Sequence, residues 1–119
     1  MKFWVIISLL LAAAVARAGE PIPGRGAALY AARCAFCHGP TGHGNGPSGR
    51  TMKPRPTDFT SGPGARLTPD RVRAAIVQGV PGSPMVAYGG VIPDADLDAL
   101  VRFVTGFYVA EQRSTEQMP

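Results

Sequence analysis

Cysteine and histidine are scarce in this 119-residue chain, with two of each, and tryptophan occurs once. Two cysteines are too few for the multi-bridge framework that holds many small exported scaffolds together. Sustained alternation of polar and apolar residues is missing, so no strand is expected, and no internal repeat is visible to suggest a solenoid. A strong excess of one charge is missing too. The 12 basic and 8 acidic side chains are scattered, and the basic ones lack interleaved aromatics, which argues against nucleic-acid binding.

The one long apolar run is Phe3 to Val15, preceded by Lys2 and followed by Ala16-Arg17-Ala18. A positive start, a short apolar stretch and a small-x-small site describe a cleaved export signal over residues 1–18. The run is short for a bilayer span, so no stable membrane insertion is expected. The mature domain is then 19–119, exported to the periplasm. All 15 glycines and all 12 prolines fall in that part. A single small domain so rich in turn formers buries little by itself and needs a staple.

Three helices are expected. The first runs from about Arg25 to Cys34, with Gly26, Leu29, Tyr30 and Arg33 at helical spacing. Residues Gly39 to Pro63 are dominated by Gly and Pro and predict loop. Thr68 as N-cap, Pro69 at the first position and Gly79 as the stop mark a helix over Pro69 to Gln78. Val80 to Val91 is again loop. A third helix starts near Pro93 or Asp94, with acidic residues in its first turns and an apolar stripe of Leu97, Leu100, Val101 and Val104. Glu111 to Pro119 predicts a polar tail.

Chemistry is concentrated in Cys34-Ala35-Phe36-Cys37-His38. Cys-x-x-Cys-His is the attachment signature of a c-type haem: two thiols one helical turn apart reach one edge of a flat macrocycle, and the next residue offers an imidazole to iron. A dithiol redox pair is the first alternative, but the βαβ context it expects is not found. Half of a zinc site is the second, and no further Cys or His pair closes the tetrahedron. His43, the other imidazole, is five residues from His38, too close in sequence to reach round to the opposite ring face, and is expected to be a loop residue.

With three helices, this motif closing the first, and a methionine in the last loop, the mature chain resembles the small class I cytochrome c family over nearly its full length. The resemblance implies an all-α cytochrome c fold, three main helices with Gly/Pro-rich loops wrapped around one covalent haem c. It implies that Gly26 and Tyr30 cross the C-terminal helix at the Leu100-to-Phe103 contact pattern, where a glycine makes room for a facing ring. The segment Gly79-Val-Pro-Gly-Ser-Pro-Met85 is similar to the family's methionine-ligand loop, which makes Met85 the expected second axial ligand beside His38, with Met52 as the alternative. Such His/Met coordination raises the reduction potential. The Gly-x-Gly-x-Gly-Pro stretch ending at Pro47 resembles the loop whose proline carbonyl accepts the free His38 ring N–H, although Asn45 stands where many relatives carry aspartate. Arg55, with Lys53 or Arg50, is placed to meet a haem propionate. Because Trp4 lies in the signal, Tyr88 is expected to replace the tryptophan some relatives hold near the propionates.

A haem with both axial positions filled by protein has no open site for substrate, so the expected function is single-electron transfer between redox partner proteins rather than enzymatic catalysis. Val86 and Ile92 are expected on the partner-facing rim, and the molecule acts as a monomer or as a subunit of a redox complex. The rival expectations are a haem enzyme or gas sensor with an open distal face, and a dedicated haem subunit of a larger oxidoreductase.

Overall fold

The computed structural model describes residues 22–119, so the expected signal, 1–18, and the start of the mature domain at Gly19 lie outside the described residues. The described residues form an all-helical fold: α1 (Arg25–Arg33), α2 (Ala35–His38), α3 (Pro69–Gln78), α4 (Asp94–Thr105) and α5 (Phe107–Glu116), with 3-10 turns at Gly49–Thr51 and Gly62–Arg66. None of these helices is long and apolar enough to cross a membrane.

Local sequence explains where α3 begins and ends. The Thr68 hydroxyl accepts the backbone N–H of Arg71, Pro69 opens the helix, and Gly79 closes it at φ 70°, a left-handed conformation that suits a residue without Cβ. In α4, Asp94 and Asp96 occupy the first turn, where the free backbone N–H groups favour negative charge. Leu97, Leu100, Val101 and Val104 are all buried there, joined by Val72 and Ile76 of α3 and by Leu29 and Tyr30 of α1. Ile92, expected on the partner-facing rim, belongs to the same core at 8% exposure. The turn preceding α4 draws it in, since the Ile92 N–H donates to the Tyr88 carbonyl at 3.2 Å.

The crossing of α1 over α4 needs Gly26. A Cβ at that position would run into the Ala99 carbonyl oxygen and lie 3.1 Å from Phe103 Cβ. Backbones meet there because one of them carries no side chain. Tyr30, one turn later and 2% exposed, packs its ring 5.2 Å from Phe103 and 5.0 Å from Phe107. Its hydroxyl donates to the Gly39 carbonyl at 2.6 Å, tying α1 to the residue that follows the cysteine–histidine motif. A bidentate pair at the rim of the crossing joins Arg25 Nε and Nη2 to the Asp96 carboxylate at 3.1 and 2.8 Å.

Of the stretch expected as a tail, Glu111 to Glu116 is instead the second half of α5, and only Gln117 to Pro119 lie outside the helix. Glu, Gln and Arg are strong helix formers, and Thr115 returns its hydroxyl to the Gln112 carbonyl at 2.9 Å. Its polar character around the whole circumference hid it from periodicity, and no α5 residue is fully buried. Two outcomes follow. Gly26→Ala loses about 1–3 kcal/mol in denaturant unfolding through overpacking at the crossing. The hydrogen bond from Arg25, and then its charge, hold the Asp96 carboxyl below the usual carboxylate range. This contribution to stability is therefore present above the unfolded-state pKa of about 3.9 and fades as pH falls through the lower folded value, so Asp96→Asn flattens the acid limb of a stability–pH curve.

Candidate functional site

The end of α1, the last two residues of α2 and two Pro-containing loops line a cavity of about 300 Å³. Cys34, Cys37 and His38 line it together with Met52, Arg55, Thr57, Met85 and Tyr88. The chain breaks helical geometry at Cys34 (φ −119°) and resumes in α2, with the N–H groups of Cys37 and His38 both returning to the Cys34 carbonyl, at 3.2 and 2.8 Å. One tight turn thus delivers both sulfurs and the imidazole to the same cavity. The cysteines are unbridged and half-buried. Burial, then the neighbouring Cys37, pushes the Cys34 thiol up to about 11.

His38 Nδ1 lies 3.2 Å from the Thr57 carbonyl oxygen. A carbonyl only accepts, so the proton of a neutral ring sits on Nδ1 and the Nε2 lone pair is left free to ligate. Burial lowers the pKa of this imidazole, keeping it in the ligating form, while the Thr57 hydrogen bond acts in the opposite direction. The partner differs from the expected Pro47 carbonyl, and the packing of the glycine loop explains why. The N–H groups of Gly44, Gly46 and Ser48 donate to the carbonyls of His38, Cys37 and Phe36 at 2.7, 3.0 and 3.0 Å. A Cβ on Gly46 or Gly49 would strike the carbonyls of Phe36 or Cys37. That loop is spent covering the motif's backbone, and Pro47 is left exposed and outside the cavity lining. Thr57, nineteen residues beyond His38, supplies the carbonyl instead.

Met85 sits in a loop folded back on α3. The Val80 N–H donates to the Met85 carbonyl at 3.2 Å, and the Met85 N–H donates to the Ser83 hydroxyl at 3.2 Å. Tyr88 and Gly89 then anchor the loop's end through N–H bonds to the Ile76 and Val77 carbonyls at 2.8 and 3.1 Å. Tyr88 reaches the cavity, with its hydroxyl 3.4 Å from the Arg33 carbonyl. Arg55 lines the cavity and Lys53 does not; Arg50 turns its Nε to the Asn45 carbonyl at 3.1 Å. Arg33 is a second lining cation, visible in the sequence only as the last residue of α1. His43 is a loop residue, its Nδ1 2.8 Å from Thr41 Oγ1 and its Nε2 3.6 Å from Glu111.

Two thiols and an imidazole on one turn, with the thioethers of Met52 and Met85 in the lining of the same mostly apolar cavity, match the donor set a haem would need. Among the described residues, no group of three His, Cys, Asp or Glu side chains is placed to hold a bare metal ion. The residues present fit a haem, which Cys34 and Cys37 would hold and to whose iron His38 and a methionine of the cavity could bind.

The family model described as cytochrome c oxidase, cbb3-type, subunit III matches residues 22–104. The chain belongs to this cytochrome c family. Membership of this family implies a haem c cofactor. Dihydro-heme d1 dehydrogenase of Pseudomonas aeruginosa is 38% identical over 95 residues, covering 80% of this chain and 17% of that protein. A chain of the reducing HAO-like protein complex of Kuenenia stuttgartiensis superposes with a TM-score of 0.63 at 26% identity, over 85% of this cytochrome and 47% of that chain. The cytochrome thus spans less than half the length of either.

Thr57 is held by the turn that follows it. The Asp58 carboxylate accepts from the Thr60 N–H and hydroxyl at 2.8 and 2.6 Å and from the Ser61 hydroxyl at 3.0 Å. Burial pushes the Asp58 carboxyl up, but these hydrogen bonds and the nearby His43 outweigh it, and the net shift is downward. Thr60 is itself buried. Asp58→Ala leaves its donors unmatched and lowers stability by about 1–3 kcal/mol, read by chemical denaturation of the haem-loaded protein.

Proposed function

We propose that this cytochrome carries one haem, bonded through Cys34 and Cys37 and ligated by His38 and Met85, and that it passes single electrons between redox proteins. The observation that carries this reading is the convergence of all four side chains on one cavity. Bound haem supplies a ferric/ferrous couple there. The polypeptide does the rest: Thr57 orients the imidazole, the hydrogen-bonded loop after α3 presents the thioether, and apolar walls limit water. Arg33 and Arg55 are the cavity's cations and would meet the haem propionates, with Tyr88 beside them. With both axial positions filled by protein the haem would offer no open site to a substrate, which supports a carrier rather than an enzyme.

The partner-facing surface is the exposed rim of the motif and the Met85 loop, where Phe36, Val80 and Val86 are 65%, 41% and 61% exposed. Loose apolar contacts of this size suit a short-lived electron-transfer encounter. Export to the periplasm, with loss of residues 1–18, completes the proposal. A second reading, a haem subunit or module of a larger oxidoreductase, is favoured by the two relatives, each more than twice as long as the segment that matches.

Absorption spectra of the purified haem-loaded protein, with and without carbon monoxide, test the ligand set. The native protein is expected to be low-spin and inert to carbon monoxide, Met85→Ala to become high-spin and bind it, and Met52→Ala to behave as the native protein does. Rapid carbon monoxide binding by the native protein, or a Met85→Ala spectrum identical to native, contradicts it.

A further inference from the structure

One face of the His38 imidazole is covered by an aromatic ring that the ligand reading does not use. Phe59 lies with its centroid 4.7 Å from that of His38 and its plane tilted by only 21°. Behind it, Phe107 is nearly parallel to Phe59 (8°) at 6.2 Å. Phe107 is in turn closed in on other sides, by Tyr30 at 5.0 Å and 60° and by Phe103 at 5.1 Å and 77°. A Cβ on Gly42 would come within 2.8 Å of the Phe107 ring, so the loop leaving the motif presses on it as well. The Phe59 N–H donates to the Gly42 carbonyl at 2.7 Å, fixing the Phe59 backbone to that same loop.

The hydrogen bond to Thr57 fixes one ring atom of His38 and leaves the tilt of the ring plane to be set by whatever lies against its face. Thr57 and Phe59 are two residues apart, so one short segment provides both constraints, and the Asp58 turn pins it. Charge adds a second effect. An imidazole bound to ferric iron is more electron-poor than one bound to ferrous iron, and the face of a benzene ring is electron-rich. A stacked Phe therefore favours the ferric form.

We propose that Phe59, backed by Phe107, is a positioning residue for the His38 imidazole, and that it lowers the reduction potential of the haem by laying an aromatic face on that ring. The proposal rests on His38 being an iron ligand. Phe107 opens α5 and lies beyond residue 104, where the family match ends, and it acts on His38 through Phe59.

The test uses the haem-loaded protein and three variants, Phe59→Leu, Phe59→Tyr and Phe107→Leu, with reduction potential and the ferric electron paramagnetic resonance spectrum as readouts. Phe59→Leu is expected to raise the potential and shift the ferric g-values, because it fills the space with an aliphatic group that has no electron-rich face. Phe59→Tyr retains the ring and should return both readouts towards native. Phe107→Leu should move them in the same direction by less. If Phe59→Leu fails to take up haem, Phe107→Leu decides by the same two readouts. A potential and spectrum unchanged by Phe59→Leu and Phe107→Leu, with only the melting temperature lowered, overturn the proposal and leave these rings as packing alone. A native spectrum without a nitrogen-ligated low-spin haem overturns the ligand reading, and this proposal with it.

Discussion

At Gly26 the backbone of α1 comes close enough to α4 for the Ala99 carbonyl to occupy the space a side chain would need. That approach places Tyr30 among the rings of Phe103 and Phe107 and aims its hydroxyl at Gly39, one residue past His38. The motif is therefore held at its exit by the same helix whose end forms its beginning. Arg25 and Asp96 close the other side of the crossing, and α3 lays Val72 and Ile76 into the remaining core. Helices α1, α3 and α4 together form a frame, and the cavity lies at the edge of that frame, where the loops after α2 and α3 face each other.

Those loops are ordered by backbone chemistry more than by side-chain packing. The glycines at 44 and 46 bring N–H donors onto carbonyls of the motif, which satisfies polar groups that the short α2 cannot satisfy internally. The loop after α3 likewise returns to the last carbonyls of its own helix through Tyr88 and Gly89. Glycine and proline, which make this chain poor at building a hydrophobic core, are what allow it to fold closely around a flat group. The Gly/Pro content and the cavity are two aspects of one solution.

Much of this was legible in the residues. The limits of α3 could be read from Thr68, Pro69 and Gly79 because capping is local, and the apolar stripe of α4 because its period is regular. Gly26 and Tyr30 could be placed through the family resemblance, in which a glycine and an aromatic residue stand at those positions before the first cysteine. Where a contact spans a long irregular segment, the sequence was less informative: Thr57 and Phe59 reach His38 across about twenty loop residues that carry no periodic signal. Pro47 was the expected acceptor because its Gly-x-Gly-x-Gly-Pro stretch resembles the family's loop, but here that loop's N–H groups cover the motif's own carbonyls and Pro47 is left exposed. Ile92 was expected on the rim as an apolar residue near the Met85 loop, and a hydrogen-bonded turn carries it into the core. The second half of α5 was missed because a polar stretch has no stripe to find, whereas its first residue, Phe107, reaches the aromatic cluster around Tyr30.

The central claim is that Cys34 and Cys37 hold one haem covalently in the cavity that His38 and Met85 share. The most direct measurement is the intact mass of the purified protein after full denaturation in acid and organic solvent. The account predicts a single species heavier than the mature polypeptide by one haem, reverting to haem-free polypeptide when both cysteines are replaced by serine. A native chain that gives up its haem on denaturation, or carries more than one, would contradict it.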